Sequence, residues 1–327
     1  MTGPGASTAQ QPTAMEKRLA IVWWGVAVGI VIGCGLNAIS GFDWVHFYYP
    51  RAQDFAPETV INPMWLYLLI APLGYLPMRV SYVLFSLVNV GLLWLGSRLT
   101  GVNRFALLIS FPALWVLWYG QLDILVMAGV AVGFWAAQSR RPIWLGVALL
   151  LLLIKPHIGA PLAFLYFWWL RDWRVLAVCG AVLLLTLIIW GFRWPLIWIN
   201  SLVQVATPPP DAPLTTTGQQ TNISLFPYGV LAWLVLLLPM SRLERAIGTL
   251  AATFLSVPYA ATYSLVTLLV LPVPWWVYLA SSVPLLLGPQ GYWLTMAAPL
   301  GCLGWLAARQ FRSPNGSWKI TLPTKWG

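Results

Sequence analysis

The chain has 327 residues, 60% of them hydrophobic and only 8% charged, with a formal net charge of +10. Soluble domains carry about a quarter charged residues, so a soluble enzyme, a DNA-binding domain and a secreted disulfide scaffold are excluded, and the bilayer is the solvent for most of the chain. In such a protein a positive balance reads as basic cytoplasmic loops rather than as nucleic-acid binding.

Residues 1–15 are uncharged and rich in Gly, Ser, Thr, Pro and Gln, which predicts a disordered tail. With Glu16-Lys17-Arg18 the tail extends over 1–18 and is expected to lie in the cytoplasm. Leu19 to Ala38 is an uncharged apolar run, about 30 Å if helical and so long enough to span. Within it Val31-Ile32-Gly33-Cys34 matches a lipoprotein cleavage box. Short small-residue strings are common in spanning helices, so the segment is read as an uncleaved signal anchor with its N-terminus inside.

Further apolar runs cover 64–76, 80–97, 105–118, 124–137, 143–154, 157–170, 175–192, 225–240, 246–258, 261–272, 274–287 and 291–308. If every run spans, Arg98, Arg104, Arg140, Arg141, Arg171, Arg174, Arg242 and Arg245 fall outside, against the positive-inside rule. Run 64–76 is short and bounded by Pro63 and Pro77. Keeping it as an interfacial helix in the first outer loop moves 14 of the 18 Lys and Arg inside and leaves Arg51, Arg79, Lys155 and Arg193 outside. The expected fold is an all-α polytopic membrane protein of about 11 transmembrane helices over 19–308, both termini inside, with a basic cytoplasmic tail at 309–327. The segment 261–287 is also compatible with one kinked span.

This topology puts the polar stretches outside: loops 40–63 and 193–224, Gly120-Gln121-Leu122-Asp123, Lys155-Pro156-His157 and Pro258-Tyr259. Five of the eight acids lie there: Asp43, Asp54, Glu58, Asp123 and Asp211. A site therefore faces the extracytoplasmic side. Pro208-Pro209-Pro210 and Thr215 to Gln220 predict a mobile loop. Asn222-Ile223-Ser224 is a glycosylation sequon too close to the next span to be used.

Few residues could carry chemistry. Asp43 lies among Phe42, Trp44, His46, Phe47, Tyr48 and Tyr49. Spacing alone favours a solvated acid beside an aromatic belt; the functional alternative is a general base whose pKa is raised by apolar neighbours. Gln121 and Asp123 sit at a turn, where Asp is a good helix cap. Lys155 ends a leucine run before Pro156. It either snorkels to the interface or is held outside by something negative, such as a lipid-linked phosphate. His46 and His157 could share a metal with Asp43, but ordinary surface histidines explain them as well. Cys34, Cys179 and Cys302 all lie in apolar stretches and read as small buried hydrophobes with no disulfide framework.

The succession Asn62-Pro63-Met64-Trp65, Ala71-Pro72-Leu73-Gly74-Tyr75-Leu76-Pro77, Gly120-Gln121-Leu122-Asp123, Arg140-Arg141, Ile154-Lys155-Pro156 and Arg171-Asp172-Trp173-Arg174 is similar to glycosyltransferase family 87. An acid soon after the first span, with a Tyr-Tyr pair and a proline, resembles the first outer loop of the GT-C membrane glycosyltransferases. The resemblance covers roughly 19–192. It implies a GT-C-like fold and inverting transfer of a sugar, mannose or arabinofuranose, from a polyprenyl-phosphate donor to a lipid- or glycan-linked hydroxyl. The setting it implies is the outer face of a bacterial plasma membrane. It makes Asp43 the base, Lys155 with Arg51 and Arg79 the phosphate partners, and His46, Tyr48, Tyr49, Gln121, Asp123 and His157 orienting residues. No cofactor is implied, and a divalent metal is left open. The family usually carries Asn at the place of Asp123, which makes Asp123→Asn the mildest expected change among the outer acids. A non-catalytic lipid or lipid-linked-sugar transporter is the alternative, and it has no need of Asp43 as a base.

Overall fold

The computed structural model describes residues 14–37, 40–54, 62–206 and 221–311. All its regular elements are helical, and the single β-bridge, Asn222 with Ala261, is isolated. The protein is an all-α membrane protein. Three described helices are long and apolar enough to cross a bilayer: α1 (Ala14–Leu36) from Arg18, α4 (Met78–Thr100) and α10 (Trp173–Trp190). On α1, Trp23, Ala27 and Val31 follow a four-residue spacing and are buried, while Ile21, Val22, Val26 and Ile32 are exposed, a lipid-facing pattern. Helix α1 begins at Ala14, so the tail expected over 1–18 is helical in its last five residues. The rest of that tail, and the basic tail from residue 312, lie outside the described residues.

The other apolar runs form shorter pieces, and prolines explain several of the breaks. Between α2 (Tyr49–Gln53) and α4 lies α3 (Met64–Gly74), 11 residues. At about 1.5 Å per residue it reaches roughly half the thickness of a hydrocarbon core. Run 105–118 divides into α5 (Arg104–Ile109) and α6 (Phe111–Tyr119) at Ser110, with Pro112 in the first turn of the second piece, where a missing N–H costs nothing. Run 225–240 holds a 3₁₀ segment, Tyr228–Leu237. Runs 261–272 and 274–287 break into a 3₁₀ turn (Thr262–Leu265) and three short helices: α13 (Val266–Leu269), α14 (Trp275–Ser281) and α15 (Pro284–Leu287). Eleven crossings also cannot leave both termini inside, because an odd number of crossings separates them.

The centre of the molecule is α7 (Asp123–Gln138), buried along its whole length except at Trp135 and Gln138. A helix apolar all round belongs inside, and α4, α8 (Pro142–Leu152), α9 (Pro156–Leu170) and α13 enclose it. A second buried helix, α12 (Arg242–Ser256), packs on α9, on α16 (Ala297–Phe311) and on Tyr228–Leu237. It starts with a Ser241–Glu244 capping box. Helix α10 buries only Val175 and Thr186. The loop expected over 193–224 contains α11 (Trp194–Ala206), whose Trp194 and Trp198 pack edge-on against Trp65 of α3 at 5.8 and 5.6 Å. Residues 207–220, with the triple proline and the threonine run, lie outside the described residues. Asn222 of the sequon accepts from the Ser224 and Ala260 backbones.

Candidate functional site

Helix α6 ends at Gly120, in the left-handed conformation with φ +72°. A Cβ there would meet the Trp44 Cβ at 2.6 Å, so both the backbone angle and the close approach require glycine. Trp44 is fixed in turn: its ring stacks on Phe85 at 4.1 Å and its Nε1 donates to the Ser81 hydroxyl at 3.2 Å. Gly41 N–H donates to the Trp118 carbonyl at 2.6 Å. The segment that carries Asp43 is thus held on both sides against the end of α6.

Asp43 precedes a single π-helical turn, Trp44–Tyr48, and is half-buried. Gln121 Nε2 donates to its Oδ2 at 2.5 Å. The same amide accepts from the Tyr48 hydroxyl at 3.2 Å and lies 3.4 Å from the Tyr263 hydroxyl, so its orientation is determined on both ends. Burial pushes the Asp43 carboxyl up to about 6; the Gln121 hydrogen bond and the Lys155 charge pull it back. Asp43 is therefore no solvated loop acid.

Asp123 does not cap α7, which starts without a side-chain cap. It is fully buried, ion-paired with Lys155 at 2.7 Å and hydrogen-bonded by the Ser264 hydroxyl. The negative partner of Lys155 is therefore in the chain itself. The Lys155 ammonium also sits 5.0 Å from the Tyr263 ring centroid. An ammonium has three N–H donors, so the ion pair leaves capacity for a further acceptor.

A cavity of about 200 Å³ has Tyr48, Arg51, Gln121, Lys155, His157 and Tyr263 on its wall. It collects residues from the segment 47–51, the 120–123 turn, the 155–157 turn and the segment after residue 258. Arg51 is half-buried, and its charge acts on the Tyr67 phenol. Among the described residues the ion pairs are Lys155–Asp123 and Arg309–Glu244, so no described carboxylate is paired with Arg51. Asp43 is not on the wall, but Gln121, which donates to it, is. A larger cavity of about 640 Å³ between α5 and α14 has no charged residue on its wall, and the chemistry is assigned to the smaller one.

Three expected site residues lie elsewhere. Arg79 donates to the carbonyls of Asn37 and Ser40 at 3.2 and 3.0 Å, closing the end of α1, and is not on the wall of the cavity. Tyr49 donates to the Leu76 carbonyl at 2.8 Å and joins α2 to the end of α3. His46 is exposed, 4.5 Å from the Phe42 ring. Among the described residues no group of three His, Cys, Asp or Glu is placed to hold a metal, so His46, His157 and Asp43 do not form one. Sequence reasoning missed Tyr263 and Ser264. Their signal was adjacent hydroxyls inside an apolar run, which on its own does not separate a site from a helix packing face.

The family model of glycosyltransferase family 87 matches residues 61–226, half of the chain, and the chain belongs to that family. No curated protein and no solved structure matches it.

Proposed function

We propose, with membership of glycosyltransferase family 87 as the premise, that this membrane glycosyltransferase takes its sugar from a polyprenyl-phosphate donor and passes it, with inversion, to a hydroxyl on the extracytoplasmic side. The observation that carries the reading is one arrangement: a carboxylate held by Gln121 beside a cavity that presents Lys155 and Arg51.

In the reaction the acceptor oxygen attacks the anomeric carbon and the bond from that carbon to the phosphate oxygen breaks. The acceptor proton goes to Asp43. The bond electrons leave with the phosphate, which turns from a diester monoanion into a monoester with one further negative charge. Arg51 and Lys155 face that charge, where a site with little water makes their attraction strong. Arg51 suits the phosphate best, since its planar fork meets two oxygens at once. Inversion needs one carboxylate, because the phosphate is already a good leaving group. An Asp43 carboxyl near 6 is mostly ionised at neutral pH and is a stronger base than an ordinary aspartate. Gln121 fixes where the base points. The shorter apolar helices, besides the three long ones, carry the proposed multi-pass topology in a bacterial plasma membrane with the site outside.

The test is reconstitution in liposomes with synthetic polyprenyl-phosphate mannose and polyprenyl-phosphate arabinofuranose, reading labelled product. Product from one donor, lost in Asp43→Asn, is the expected result. Donor moved across the bilayer without sugar transfer overturns the reading in favour of a transporter.

A further inference from the structure

Asn62 lies on the wall of the cavity that presents Arg51 and Lys155, and it is only 7% exposed. An asparagine just before a helix ordinarily spends its side chain on the cap. Here the N-cap of α3 is Pro63, and no side chain caps that helix. Among the described residues none hydrogen-bonds the Asn62 amide either. Buried amides are nearly always paired, so one that meets a cavity with its bonds unmade points to what the cavity takes.

The position of the amide is fixed in advance. Pro63 restricts the residue before it to extended backbone. Met64, Trp65 and Leu66, which follow, are buried, and Trp65 Nε1 donates to the Leu150 carbonyl at 2.9 Å. A group held this way loses little freedom when a ligand arrives.

The chemistry of the group selects the part of a ligand that it meets. Arg51 and Lys155, on the same wall, only donate, which suits phosphate oxygens that only accept. An amide carries an accepting oxygen and a donating nitrogen side by side. Against a phosphate its oxygen would face other oxygens with no proton between them. Against two adjacent hydroxyls both ends are satisfied: one hydroxyl donates to Oδ1 and the other accepts from Nδ2.

We infer that Asn62 reads the donor sugar, hydrogen-bonding two adjacent hydroxyls of its ring while Arg51 and Lys155 hold the phosphate. The inference rests on the reading of the cavity as the donor site. It follows that the enzyme selects its donor at the sugar as well as at the lipid phosphate, because a sugar that lacks either hydroxyl leaves half of the amide unpaired.

The experiment uses the full chain in nanodiscs and titrates polyprenyl phosphate, polyprenyl-phosphate mannose and polyprenyl-phosphate arabinofuranose. Asn62→Ala is expected to weaken binding of the preferred glycosyl lipid on the order of tenfold. Polyprenyl phosphate should bind that variant as it binds the parent, which also shows that the variant is folded. Arg51→Ala should weaken both lipids. Single-deoxy forms of the preferred sugar test the same contact on the unaltered protein. Removing a hydroxyl that Asn62 reads should cost the parent affinity and cost Asn62→Ala nothing. Three results overturn the inference and leave the donor reading standing: equal loss of polyprenyl phosphate and glycosyl lipid in Asn62→Ala, unchanged binding of both, or deoxy donors bound by the parent as well as the full sugar. A parent protein that binds none of these lipids removes the donor reading, and the sugar contact with it.

Discussion

Replacing Asp123 by Asn removes one charge and almost no volume. The new amide oxygen can still accept from Lys155 while the amide nitrogen, at the other oxygen's place, donates to the Ser264 hydroxyl, so the main cost is that of an ammonium left without its counter-charge. The carboxylate is fully buried and the lysine side chain only 14% exposed, so water replaces little of what is lost. Breaking a buried pair from one side typically costs about 3–5 kcal/mol. Large domains lose about 2 °C per kcal/mol, so the melting temperature in nanodiscs should fall by about 6–10 °C. Asp123→Asn combined with Lys155→Met leaves no unpaired charge and should melt above the single variant. Exposed Asp54 is the control, and its change to Asn should be nearly silent. A melting temperature within about 2 °C of the parent in Asp123→Asn, or a double variant no more stable than the single one, would refute the reasoning. The expected outcome reverses what the family's usual asparagine suggested, because the cost is set by the lysine facing it.

Asp43→Asn keeps shape and loses the proton acceptor, and should lower kcat about 10²–10⁴-fold with donor binding unchanged, measured by single-turnover transfer and by donor titration. Because the carboxyl stands near 6 and must be ionised to accept a proton, activity should rise with pH through about 6 and level off above it. Gln121→Ala removes a hydrogen bond that favours the charged form, so that limb should move to higher pH; an unmoved limb would detach Gln121 from the base. For the topology, a single cysteine at position 98 should be shielded from an impermeant thiol reagent added outside and one at position 193 should react; the opposite pattern reverses the orientation.

Membership of the bilayer class was legible because composition alone decides it. The spans were less so. Hydropathy counts apolar residues and is blind to where Pro112, Pro272, Pro274 and Pro284 interrupt the helices, so runs of similar apolarity became α4 in one place and fragments in another. Asp43, Gln121 and Lys155 were found because a polar residue at the edge of an apolar run stands out. Their wiring was not, since which acid meets which cation depends on helix packing across 32 to 141 residues of sequence. Arg79 shows the limit: an arginine outside suggested phosphate, but unsatisfied carbonyls at the end of a helix attract the same side chain.

The 282 hydroxyl and its neighbours bear on how the chain can be cut. Phe111 N–H, freed where α5 gives way to α6, donates to Ser282 Oγ at 3.1 Å. Tyr263 reaches Gln121, and Ser264 reaches Asp123. All three donors or acceptors come from beyond residue 226, where the family match stops. The stretch shared with relatives is therefore not a module that can be excised or grafted. A chimera joined at 226 would inherit a break in the 105–118 run whose Phe111 N–H has lost its Ser282 acceptor, and a buried carboxylate missing one of its two partners. A workable junction keeps Tyr263, Ser264 and Ser282 with the residues they serve, which puts the boundary of the functional unit well past the boundary of recognisable ancestry.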